Sequence, residues 1–96
     1  MRLPKNRPPT PPGEMLKFEF LEPLGLTQVE FARKCKLSQK VINEICQNRR
    51  AVTARTSILI GKALDIGPEF MLLLQVKLDL WNELNKKKRT SMKKAG

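Results

Sequence analysis

Apolar residues recur at helical spacing in five stretches of the chain, and nowhere do they alternate in the two-residue period of a strand. The first stretch, Glu14 to Glu22, sets Leu16, Phe20 and Leu21 on one side and should stop at Pro23 and Gly25. Thr27, with Glu30 three residues on, has the form of a capping box, and the helix it opens buries Phe31, Ala32 and Cys35. Lys36 and Leu37 make the link to a third helix, capped by Ser38, with Ile42 and Ile45 inward. Gln47 to Val52 reads as a polar loop in which Asn48 suits a left-handed position. Thr53 caps a fourth helix reaching about Leu64, with Ala54, Ser57, Ile58, Gly61 and Leu64 at helical spacing. Gly67 and Pro68 open a fifth, with Pro68 at its first position and Glu69 beside its positive end, running to about Asn85. The pattern predicts an all-α body of five helices.

The last helix is apolar on two sides. Phe70, Leu74, Leu78 and Trp81 form one stripe, and Leu73, Val76, Leu80 and Leu84 form another. A central helix wrapped by the other four would account for this. Otherwise something must cover the second stripe, because a small protein seldom exposes a continuous apolar face. We favour a partner, and take Leu73, Val76, Leu80 and Leu84 as the candidate dimer interface. Phe18 and Leu59 are also apolar at positions that look outward.

Length and composition divide the chain further. Ninety-six residues allow one domain with tails. Five of the seven prolines lie in the first twelve residues, so residues 1–12 read as an extended arm, 13–85 as the domain, and 86–96 as a basic tail. The net charge of +10 is unevenly spread. Residues 1–13 carry three cations and no acid, and residues 86–96 carry six cations and no acid. Residues 14–85 hold ten cations against nine acids, yet within them residues 27–50 have six cations and two acids. Positive charge is thus concentrated on the second and third helices, which is a better sign of a nucleic-acid partner than the total.

Several chemistries are excluded or unsupported. The chain has no histidine and no tyrosine, so triads and histidine-based acid–base catalysis are out of reach. Cys35 and Cys46 alone make neither a disulfide framework nor a zinc site. No catalytic residues, metal or cofactor are expected. The longest apolar run, Phe70 to Leu74, is far too short to span a bilayer, and the N-terminus lacks the apolar segment of a secretory signal. A soluble, cytoplasmic protein with no membrane partner is expected.

The helix pair at residues 27–47 has what a DNA-reading unit needs: a cap to set against phosphate, exposed first-turn side chains, and a buried far side. Gln39 and Asn43 can pair with adenine, Lys40 can reach guanine or phosphate, and Val41 can touch a thymine methyl. Ser38 at the helix cap and Gln28 at the start of the second helix would lie against the DNA backbone, with Arg49 and Arg50 clamping phosphate from the following loop. From spacing alone, two ordinary bundle helices with a solvated face fit equally well.

Residue identities go further. PPGEMLKFEFLEPLGLTQVEFA at residues 11–32, NEICQNRRAVTARTSILIGKAL at 43–64 and PEFMLLLQVKLDLW at 68–81 resemble the characteristic blocks of HigA-type (VapI-like) antitoxins, within the XRE/Cro-C1 helix-turn-helix class. The likeness spans residues 9–84. It departs at Lys36 and Asn48, where relatives usually carry Gly, and at Gln39, where Arg is frequent. Arg55 and Met71 stand where relatives often have Asp and Trp. The resemblance implies a lambda repressor-like, Cro/C1-type fold and a homodimer on double-stranded operator DNA. It also implies autorepression of a toxin–antitoxin operon and restraint of a HigB-type toxin, an mRNA-cleaving ribonuclease. A stand-alone XRE-type repressor without a toxin is the nearest alternative. A toxin-restraining protein that has lost DNA binding is another.

Overall fold

A computed structural model describes residues 7–93. Among these the chain forms five helices and no strand. The first, α1, is built of three consecutive segments: an α-helical turn at Pro12–Glu14, a π-helical run at Met15–Leu21, and a closing α-helical turn at Glu22–Leu24. Then follow α2 (Gln28–Cys35), α3 (Gln39–Cys46), α4 (Ala54–Leu64) and α5 (Phe70–Lys93).

The π-helical run decides which face of α1 is buried. Bonding each N–H five residues back widens the turn and brings residue i+5 much closer to the face of residue i than an α-helix does, and Leu16 and Leu21 are both buried. Phe20, expected beside them, is only half-buried. Pro23 does not end the helix as expected. It has no N–H to continue the wide register, so the run ends at Glu22 N–H on Lys17 O, and one narrower turn follows.

Four helices stop in the same way. A residue one or two positions past each helix has left-handed φ: Gly25 at 66°, Lys36 at 60°, Asn48 at 59° and Asp65 at 58°. In each case the next amide reaches back to an orphan carbonyl: Leu26 to Leu21, Leu37 to Ala32, Arg49 to Glu44 and Ile66 to Gly61. This is the Schellman arrangement, and it satisfies helix-end carbonyls that would otherwise face water alone. Glycine is free to take that φ; lysine is not.

The starts are capped as the sequence indicates. Thr27 Oγ1 accepts from Glu30 N–H at 3.1 Å while Glu30 Oε1 accepts from Thr27 N–H at 2.9 Å. Ser38 Oγ accepts from Val41 N–H at 3.2 Å. Thr53 forms a second box, with Thr56 in the role that Glu30 has in α2.

One core joins all five helices. It comprises Leu16, Leu21, Phe31, Ala32, Cys35, Ile42, Ile45, Cys46, Val52, Ile60 and Met71. Ile58, grouped inward by spacing, is exposed, and Ile60 fills the core in its place. Ser57 explains the shift. Its Oγ donates to Pro68 O at 2.6 Å and accepts from Leu72 N–H at 3.0 Å, which turns α4 toward the start of α5 by its polar edge. Gly61 lies in the same contact, where a Cβ would meet three backbone atoms of residues 66–68 at 3.0–3.1 Å.

On α5 the buried line is Met71 and Gln75, with Phe70 and Leu74 half-buried beside it. Phe20 and Phe70 meet edge to face with centroids 5.9 Å apart. The expected dimer stripe faces out: Leu73, Leu80 and Leu84 are 46, 45 and 57% exposed, and Val76 is half-buried. Phe18 is exposed as expected, whereas Leu59 is half-buried. The helix passes its expected end near Asn85 and continues to Lys93, so most of the stretch read as a basic tail is helical in its backbone. Residues 1–6 of the proline-rich arm and 94–96 of the tail lie outside the described residues. No helix among those described is long and apolar enough to cross a membrane.

Candidate nucleic-acid interface

The helix pair α2–α3 is held at a fixed angle by its own core. Phe31, Ala32 and Cys35 from α2 meet Ile42, Ile45 and Cys46 from α3, all buried. The short link is made by Lys36 at left-handed φ and by Leu37, half-buried against the core. Burying each large aliphatic or aromatic side chain contributes about 1.5–3 kcal/mol, so the angle between the helices is not a soft variable.

That frame presents a graded face. Ser38, Gln39 and Lys40 are exposed at the N-terminal end of α3, where unpaired helix N–H groups favour an anion. Gln39 and Lys40 therefore stand in solvent, as a base-reading role requires. Val41 is half-buried and packs on the core, which restricts it to a shallow apolar contact. Asn43 is half-buried one turn further on, and its Nδ2 donates to Gln28 Oε1 at 3.0 Å. The amides expected to act separately, Gln28 on the backbone and Asn43 on a base, are joined across the two helices.

The loop after α3 is similarly tied. Arg50 Nε donates to Glu44 Oε1 at 2.8 Å and its Nη2 lies 2.7 Å from the same oxygen. Arg50 thus spends part of its donor fork on a surface bond within the chain; both Arg49 and Arg50 are exposed. Sequence spacing missed this pair, because residues six apart do not face each other on a helix; the bridge exists only because the chain leaves the helix at Asn48. Behind the loop, buried Gln75 of α5 accepts from Val52 N–H at 2.9 Å and donates to Asp79 Oδ1 at 2.9 Å. A glutamine in an apolar stripe gave little signal of that role. Gly13 also touches this region: a Cβ there would overlap Ile45 O and come within 2.6 Å of Asn48 Oδ1.

Charge completes the picture. The hydrogen bond from the Thr27 backbone holds the Glu30 carboxyl below its usual range, with the Thr27 side chain and Arg33 acting in the same direction. Burial pushes the Cys35 thiol up to about 11 and raises Cys46 as well, so both are neutral packing groups rather than nucleophiles. Among the described residues no group of three or more acids or cysteines is placed to hold a metal ion.

Comparison with known proteins agrees with this geometry. The family described as helix-turn-helix matches residues 18–71. Antitoxin HigA-1 of Vibrio cholerae is 38% identical over 86 residues, spanning 90% of this chain and 80% of that protein. An HTH-type transcriptional regulator of Haemophilus influenzae is 37% identical over 88 residues, spanning 91% and 82%. Among solved structures, the Pseudomonas aeruginosa antitoxin HigA with the higBA promoter superposes with a TM-score of 0.80 at 28% identity, covering 85% of this chain and 89% of the other. The chain belongs to the XRE-type helix-turn-helix family, and its relatives include the HigA antitoxins.

Proposed function

We propose that this protein is a sequence-specific DNA-binding antitoxin that represses its own operon as a homodimer and restrains an mRNA-cleaving ribonuclease toxin. The observation that carries the DNA part is the α3 face, with Gln39 and Lys40 exposed at a helix N-terminus and Asn43 behind them. The relative solved with promoter DNA supports it. Phosphate contacts from Ser38, Gln28, Arg49 and the free part of Arg50 supply affinity, which falls by about 0.9 log units per log unit of salt for each phosphate neutralised. Base contacts from Gln39, Lys40 and Asn43 supply discrimination, about 1–3 kcal/mol for each good pair. Val41 adds an apolar contact.

The exposed row Leu73, Leu80 and Leu84, with Val76 at its edge, supports the dimer. A two-fold operator needs two recognition helices about one turn of DNA apart, and one self-complementary face supplies that symmetry. The antitoxin part is supported by the relative from Vibrio cholerae. Co-expression with the small reading frame beside the gene tests it: a stable complex that restores growth is expected. The Haemophilus relative, which bears a regulator's name, favours a second reading as a stand-alone repressor. An absence of both complex and toxicity, with operator binding intact, would select that reading. Asn43→Ala should weaken operator binding and leave binding to random DNA little changed, as read by mobility shift.

A further inference from the structure

We propose that the cleft between the C-terminal ends of α2 and α4 is a docking site for an acidic protein segment that carries one apolar side chain among its carboxylates. Cys35, Leu59 and Ala63 form its floor and Lys34, Lys36 and Lys62 its rim, around a volume of about 280 Å³. The floor is buried or half-buried, and all three lysines are exposed. Among the described residues no acid pairs with any of them. The site lies outside the DNA-binding and antitoxin reading above.

Lys34 and Lys62 stand in the last turns of their helices, where a cation suits the negative helix end whatever else it does. At Lys36 the same gain is offset by backbone strain. It closes α2 at a φ of 60°, a conformation that glycine takes without cost. The other side-chain-bearing residues at left-handed φ among those described are Asn48 and Asp65, both of types that tolerate it. A lysine kept at such a position points to use of that surface. It supplies the third cation of the rim, from the link rather than from either helix.

A nucleic acid fits this cleft poorly. Phosphate and sugar offer nothing apolar to a floor of Cys35, Leu59 and Ala63. The cleft is also about 12 Å along α2 from Gln28, where the proposed DNA contact lies. Carboxylates on either side of an aliphatic or aromatic side chain satisfy both parts: the side chain fills the floor, and the carboxylates meet the ammonium groups.

The test is titration of the full-length protein with the capped peptide Asp-Glu-Leu-Glu-Asp, followed by amide chemical shifts up to millimolar peptide. The chain carries a net charge of +10, so any acidic peptide is attracted to it. Lys40 and Arg49, basic and exposed outside the cleft, are therefore the internal control. Shifts concentrated at Lys34, Lys36, Leu59, Lys62 and Ala63 are expected. Serine in place of the peptide's leucine should weaken binding about tenfold. Lys36→Gly and Lys62→Gln should each weaken it about threefold. Lys36→Gly relieves the left-handed strain, so its loss of binding is not a loss of fold. Shifts as large at Lys40 and Arg49 as in the cleft would overturn the proposal, as would binding that neither lysine variant changes or no shift at all. A duplex of random-sequence DNA that moves the cleft amides when the peptide does not would overturn it in favour of a phosphate contact.

Discussion

Lys36 occupies a conformation that its side chain disfavours, and replacing it with glycine should stabilise the protein. Its φ of 60° closes α2, with its amide on Arg33 O at 3.2 Å and the next amide on Ala32 O at 3.0 Å. A side-chain-bearing residue in the left-handed region costs about 1–2 kcal/mol. Lys36→Gly removes that cost but frees the unfolded chain, which takes back about 0.4–1 kcal/mol. The exposed side chain forfeits little burial, so the net gain is about 1 kcal/mol. For a domain of this size that raises the melting temperature by about 4–8 °C. The assay is thermal unfolding followed by circular dichroism at matched protein concentration, since any dimer makes the midpoint concentration-dependent. Lys36→Ala is the control. It removes the same charge and stem yet keeps the Cβ, so it should leave the midpoint nearly unchanged. Equal shifts in the two variants would show that charge or stem, not backbone geometry, sets the effect, and a fall in Lys36→Gly would refute the strain outright.

Gly13→Ala should destabilise by about 1–3 kcal/mol, the usual penalty of overpacking, because the added methyl meets the Ile45 carbonyl and Asn48 Oδ1; chemical denaturation measures it. Gln75→Leu should cost a similar amount by stranding the buried Val52 N–H, and rapid amide exchange at Val52 would be the local sign. If the exposed Leu73–Leu84 row forms the proposed dimer, Leu80→Glu should leave a monomer of unchanged helix content in sedimentation or light scattering, with weaker operator binding. Cys35 should resist alkylation at pH 8 until the protein unfolds, because a thiol with a pKa of about 11 stays protonated there. The neutral thiol stabilises the fold at neutral pH, and that contribution fades as the pH rises above the value of a free thiol and through about 11.

What could be read from the sequence was local. The Thr27–Glu30 box, the Ser38 cap and the buried residues of α2 and α3 each depend on neighbours within one turn, and all appear as expected. Chain-distant partners were not legible in that way. Ile60 displaced Ile58 because Ser57 is bonded to Pro68 and Leu72, and periodicity carries no such information. Met71 and Gln75, not the Phe70–Trp81 stripe, are buried because α5 meets the loop at Val52. At the candidate site, Gln39, Lys40 and Arg49 are exposed as their positions implied, while Gln28, Asn43 and Arg50 each hold a partner that only the folded chain supplies.

The π-helical run at Met15–Leu21 bears on how the chain can change in length. Each wide turn holds about one residue more than an α-turn, while the helix ends are fixed independently by Gly13 against α3 and by the turn at Gly25. The first helix therefore carries slack. Loss of one residue between those anchors can be absorbed by narrowing the turn, where a loss in α2 or α3 would rotate every later side chain by about a hundred degrees. Variation in chain length among descendants of this sequence should gather in α1 and spare α2 and α3.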